Sequence, residues 1–286
     1  MNTSESNLSR TQDSNPPRLA GSFDLHGRVA LVTGGGRGLG FEMAHSLAQA
    51  GAIVYINGRS GEILEASASR LRGLGLDVRA LAFDVGDEAA GLAAIDRVKR
   101  EHDRLDILVN NVGERLRRTA ANISWRDFAR LLDVDLIGAF ALSKAAAELM
   151  TAHGYGRIIM VTSTSAILGS AADAAYIAAK GGLGAMARAL ACEYGPLGIT
   201  CNSLCPGPFM TETNANLAKH PSIAAWIPTR VPVGRWGRPE EIGPACLFLA
   251  APASSFVNGH TLVVDGGVTA SVGSPQYREP GKDGAT

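Results

Sequence analysis

The chain has 286 residues, a formal net charge of zero and a pI of about 7.0, so no electrostatic footprint points to nucleic acid or an anionic membrane. It is 46% hydrophobic, ample for one sizeable core. No apolar run reaches the roughly 18 to 20 residues that a membrane span needs.

Residues 1–22 are polar, lack the apolar stretch of a signal peptide, and read as a disordered leader on a cytoplasmic protein. Beyond them, short β-rich apolar runs alternate with helical patterns, the sign of βαβ units and a parallel sheet. Strands are expected at Val29–Thr33, Ile53–Asn57, Val78–Phe83, Ile107–Asn110, Arg157–Thr162, Thr200–Leu204 and Thr261–Val264. Most are continuously apolar, as strands covered by helices on both faces should be. Helical patterns fall at Gly40–Ala50, Glu62–Leu74, Glu88–Glu101, Trp125–Met150, Ala174–Tyr194 and Glu240–Ala250. This is an α/β chain: a single doubly wound Rossmann-type domain over 23–270, with a seven-stranded, mostly parallel sheet flanked by helices. A substrate lid is expected at about 208–233, and a loose polar tail at 271–286.

Cys192, Cys201, Cys205 and Cys246 show no Cys-x-x-Cys spacing and no histidines at ligand distance, so reduced thiols and no metal are expected. The first strand runs into Thr33-Gly34-Gly35-Gly36-Arg37-Gly38-Leu39-Gly40 and then a helix. Glycines let the backbone approach a pyrophosphate, and the helix N-terminus offers free N–H groups, so this junction reads as a dinucleotide site. The second strand ends Asn57-Gly58-Arg59. Gly58 stands where binders of a free ribose 2′-hydroxyl usually place an acid, while Arg59 and Arg37 suit a 2′-phosphate, which favours NADP(H) over NAD(H). Asp84 could accept from an adenine amine or cap the next turn.

Tyr176 and Lys180 lie four apart in a helical pattern, on one face. An ammonium there would lower the phenol's pKa from about 10 and suit it to proton transfer.

With these pieces in order, the chain from about Phe23 to Val268 resembles the short-chain dehydrogenases/reductases. The matching motifs are Thr33–Gly40, Asp84-Val85, Asn110-Asn111-Val112-Gly113, Ser163, Tyr176-x-x-x-Lys180, Pro206-Gly207 with Thr211, and Val264-Asp265-Gly266-Gly267. The resemblance implies Tyr176 as general acid/base, Ser163 on the substrate carbonyl, and Lys180 on Tyr176 and the nicotinamide ribose. It also implies that Gly34, Gly36, Gly38, Leu39, Gly40, Val85, Asn111, Gly113, Pro206, Gly207 and Thr211 line the cofactor. Relatives pair through the helices expected at Trp125–Met150 and Ala174–Tyr194, so a homotetramer or homodimer is expected. Two departures stand out. Val112 replaces the family's usual Ala, and Asp135 sits where Asn usually joins the proton relay, so Asp135 is expected to raise the Lys180 pKa and alter the pH profile.

Phe23-x-Leu25-x-Gly27, Ile56–Arg59, Arg235-Trp236-Gly237 and Phe256–His260 are similar to the gluconate 5-dehydrogenase branch, though such stretches also occur in acyl-carrier reductases. The expected activity is interconversion of a secondary alcohol and a ketone, with a sugar acid as the leading small-molecule substrate. The alternatives are a 3-oxoacyl-thioester reductase and a dinucleotide-binding regulator with little turnover. Arg115 and Arg117 are candidate carboxylate ligands, against the alternative of a solvated basic loop. Ser165 and Trp226 complete the tentative substrate set.

Overall fold

The structure, a computed structural model, describes residues 19–272. Most of the expected leader and tail therefore lies outside the described residues; Leu19–Phe23 forms a 3-10 turn. Seven strands form one sheet: β1 (Val29–Val32), β2 (Ile53–Gly58), β3 (Val78–Ala82), β4 (Ile107–Asn110), β5 (Gly156–Val161), β6 (Ile199–Pro206) and β7 (Thr261–Val264). Their order is β3-β2-β1-β4-β5-β6-β7 and every pairing is parallel. The sheet is thus wholly parallel rather than mostly so.

Parallel strands covered on both sides should send alternate residues into two cores. Ala30, Val32, Val54, Ile56, Val109, Ile159 and Val161 enter one core, under α1 (Gly38–Gln49), α2 (Gly61–Arg72) and α9 (Gly243–Ala250). Val29, Leu31, Tyr55, Leu108, Ile158 and Met160 enter the other, under α3 (Glu88–His102), α5 (Gly138–His153) and α6 (Ala174–Tyr194). Chain order reverses between β1 and β4, and in open sheets of this kind a crevice opens at the carboxyl ends of such strands.

Local chemistry sets the helix starts. Ser60, Asp87 and Ser124 accept backbone N–H bonds and cap α2, α3 and α4 (Trp125–Leu132). The expected single helix over Trp125–Met150 is instead interrupted. Between α4 and α5, residues Asp133–Ile137 form a π-helical turn, which carries Asp135. Such bulges are rare and cluster at functional sites. The expected lid stretch folds as α7 (Ala215–Ala218) and α8 (Pro221–Arg230). No helix of the described residues is long and apolar enough to cross a membrane.

Candidate active site

The carboxyl ends of β1 to β6 carry most of the sequence-predicted residues. Thr33, just past β1, knits the loops together: its Oγ1 accepts the N–H groups of Asn111 (2.9 Å) and Val112 (3.2 Å). Asn111, expected to line the cofactor, uses its side-chain amide to bind the carbonyls of Thr33 (2.9 Å) and Gly34 (3.3 Å). It braces the glycine turn.

That turn fits a dinucleotide phosphate. Gly34 and Gly38 have φ of +63° and +55°, and a Cβ on Gly40 would lie 2.2 Å from the Gly34 carbonyl oxygen, so glycine is required there. Unlike α2, α3 and α4, α1 has no side-chain cap: Arg37 at its N-cap makes no such bond. Its first N–H groups are therefore available to an anion. Arg37 and Arg59 are both exposed, and neither guanidinium has a hydrogen bond or ion pair among the described residues. Thr211, reached after Pro206-Gly207, closes the other wall: a Cβ on Gly38 would stand 3.6 Å from its methyl. Asp84 accepts from the Gly86 N–H at 3.0 Å, in keeping with the turn-capping alternative; Val85 beside it is buried.

Lys180 lies deepest. It is 1% exposed, and its Nζ donates to the Val112 and Val161 carbonyls, each at 3.0 Å. Gly113 admits it, because a Cβ there would come within 2.9 Å of Nζ. Asp135 is equally buried; its Oδ1 accepts the Glu114 N–H at 2.7 Å, and its Oδ2 has no hydrogen-bond partner. Burial pushes the Asp135 pKa up to about 6, although the Lys180 charge pulls it down. Asp135 in turn raises the Lys180 pKa as expected, but burial outweighs it and leaves the ammonium below its usual range.

Tyr176 is half-buried on α6, with Lys180 Nζ 5.9 Å from its ring centroid. The expected lowering of its pKa by Lys180 is not what the structure has. Burial raises the phenol's pKa; a Ser163 side-chain hydrogen bond and the Arg115 charge oppose this, while Asp135 and Asp173 add to it. The ammonium is turned to two backbone carbonyls instead of the phenol. Ser163 also accepts the Ser165 N–H at 3.2 Å; of the two serines, only Ser163 is bonded to the phenol.

The tentative substrate residues separate. Arg115 is engaged by the carboxylate of Asp173 through Nε (3.0 Å) and Nη2, and its guanidinium lies 5.0 Å from the Tyr176 ring centroid. That fork is closed to a substrate carboxylate. Arg117 on the same loop is exposed and near enough to Asp173 to lower its pKa. Trp226 is 39% exposed on α8, whose buried face is Ile227. No signal in the sequence marked Asp173, because its partner Arg115 lies 58 residues away.

A family model described as enoyl-(acyl carrier protein) reductase matches residues 34–269. Gluconate 5-dehydrogenase of Gluconobacter oxydans is 37% identical over 87% of this chain and 98% of its own length. The chain belongs to the short-chain dehydrogenase/reductase family. The 2-dehydro-3-deoxy-D-gluconate 5-dehydrogenase of Formosa agariphila is 35% identical over 90% of this chain and 98% of its own. A crystal structure of gluconate 5-dehydrogenase from Burkholderia cenocepacia in complex with NADP and tartrate is 39% identical, with a TM-score of 0.85. It covers 89% of this chain and 100% of its own.

The Asp135 environment sets a stability test. Its folded-state pKa of about 6 exceeds the ordinary 3.8, so the neutral acid favours the fold. The stability this group gives is complete below the unfolded value and is lost as pH rises through about 6. Asp135→Asn cannot ionise. Its stability relative to the parent should therefore rise by roughly 1–3 kcal/mol between pH 4 and pH 8 in urea unfolding. A constant difference across that range would show that Asp135 is not held against its charge.

Proposed function

We propose that this enzyme is an NADP(H)-dependent oxidoreductase interconverting a secondary alcohol and a ketone of a sugar acid, with D-gluconate and its 5-keto form as the leading pair. The observation that carries the reaction class is the cluster of Ser163, Tyr176 and a fully buried Lys180 beside a glycine turn that opens onto an uncapped helix. The relatives' names support the substrate class.

In this reading Ser163 and Tyr176 hold the substrate oxygen, and Tyr176 takes its proton on oxidation and returns it on reduction. Lys180 and Asp135 hold the far side of the site and lead the proton toward the interior. Gly34, Gly36, Gly38, Leu39 and Gly40 with the first turn of α1 would cradle the pyrophosphate, and Gly113, Pro206, Gly207 and Thr211 would flank the rest of the nucleotide. NADP(H) supplies the hydride when bound; the protein supplies orientation and polarisation. Arg37 and Arg59, without partners among the described residues, would grip the 2′-phosphate.

Arg117 is the residue best placed for the substrate carboxylate, since Arg115 is engaged elsewhere. A homotetramer or homodimer through α5 and α6 fits the exposure of Phe140 on α5 and of Ile137 just before it (46% and 54%). A cytoplasmic setting fits the free thiols of Cys201, Cys205 and Cys246.

Absorbance of reduced nicotinamide tests the reaction and substrate class together. 5-Keto-D-gluconate should be reduced with NADPH at least tenfold more efficiently than acetoacetyl thioesters. Arg117→Ala should raise KM for the acidic substrate by about tenfold or more and leave a neutral ketone within twofold. Equal effects on both would remove the carboxylate role, and preference for the thioester would replace the substrate class. Arg59→Ala should raise KM for NADPH by about tenfold and leave NADH nearly unchanged; parallel changes would leave the 2′-phosphate without this partner.

A further inference from the structure

Arg115, Asp173 and Tyr176 form an arrangement that the reaction described so far does not use. Asp173 is 2% exposed, and such a carboxylate needs partners. It stands at the N-cap of α6, where an aspartate usually accepts from the helix's own N–H groups, yet its side chain makes no such bond. It faces instead the Nε and Nη2 of Arg115, with the Ser170 hydroxyl donating at 3.3 Å. The two-point geometry fixes the guanidinium in orientation as well as position. The preceding residue, Ala172, has φ of +63°, a conformation that residues with a Cβ rarely adopt. Its carbonyl accepts the Arg118 N–H at 2.8 Å. The loop after β4 is therefore fastened to the start of α6 at two points, and Tyr176 sits in the first turn of that helix.

Held in this way, the guanidinium stands 5.0 Å from the Tyr176 ring centroid, nearer than Lys180 Nζ at 5.9 Å. Its Nη1 has no hydrogen-bond partner among the described residues. We propose that Arg115 is a positioning residue for Tyr176: fastened by Asp173, it holds the phenol in place and presents a fixed positive charge to its ring. The inference rests on the reading of Tyr176 as the acid/base and gives Arg115 the tuning role that the sequence assigned to Lys180. A cation near the ring is attracted to its π face, and the attraction grows when the phenol loses its proton. The other groups facing Tyr176 are Ser163 just past β5, Asp135 on the π turn, Asp173 at the N-cap of α6 and Lys180 one turn further along it. Both carboxylates oppose ionisation, so Arg115 is the charge that offsets them.

The test is the titration of Tyr176, read in two ways. One is the pH dependence of kcat/KM for oxidation of D-gluconate with NADP. The other needs no substrate: the titration of the Tyr176 ring in protein carrying 13C at the tyrosine Cζ, the resonance being assigned by its loss in Tyr176→Phe. Arg115→Met should move the midpoint upward by about half a pH unit or more, a loss of roughly threefold in ionised phenol on the rising limb. Arg115→Lys should restore part of the shift, and KM for gluconate should stay within about twofold. Arg115→Gln, a shorter neutral donor for Asp173, serves should the Met variant fail to fold. An unmoved midpoint in a folded variant would overturn the proposal, as would a raised KM with an unmoved midpoint, which would make Arg115 a substrate ligand. Tyr176→Phe separates the two levels. If it retains turnover, the acid/base reading itself fails; if it is inactive while Arg115→Met leaves the midpoint in place, only the positioning role fails.

Discussion

A buried ammonium organises this site. Taking a lysine out of water costs several kcal/mol, and Lys180 is 1% exposed. The loops that receive it offset that cost with the carbonyls of Val112 and Val161 and with the nearby charge of Asp135. Each of these groups comes from a different element: the loop after β4, the end of β5, and the π turn between α4 and α5. Lys180 can be held only if all three meet α6 at one point, and Gly113 leaves the space it occupies. The fold's contribution to function is this convergence.

The polar surroundings divide the work. Asp135 lies close enough to stabilise Lys180 but is itself held against ionisation, so the pair carries less charge separation than two exposed groups would. Tyr176, one helical turn before Lys180, is governed more by burial, by the Ser163 hydrogen bond and by Arg115 than by the lysine. The phenol and the ammonium are neighbours in sequence, yet they answer to different partners. At the glycine turn, Arg37 and Arg59 have no hydrogen bond or ion pair among the described residues, and α1 has no side-chain cap. Those groups are left open, whereas the groups around Lys180 are arranged to hold one another.

Much of this was legible in the sequence because its signals are local. The strands β4 and β7 and the helix α6 fall where the apolar runs place them, and the glycine turn lies at the first strand-to-helix junction. What escaped is what depends on distant partners. The stretch Trp125–Met150 has helical periodicity throughout, and nothing in its spacing announces the π turn at Asp133–Ile137, which is stabilised by Leu136 packing with Leu131, Ala175 and Ala179. Arg115 looked like a free cation on a basic loop because Asp173 lies 58 residues away. Asn111 carried a cofactor signal, but its amide holds two loop carbonyls, a use that no spacing rule distinguishes.

Replacing the ammonium by an apolar chain of similar length probes this convergence most directly. Lys180→Met removes a desolvated charge from a site where Asp135 can take up a proton, so the protein should fold and melt close to the parent. With the charge gone, turnover of 5-keto-D-gluconate with NADPH should fall by about 10²–10⁴. A folded Lys180→Met protein that turns over within tenfold of the parent would show that the buried ammonium is a packing feature and not the centre of the site.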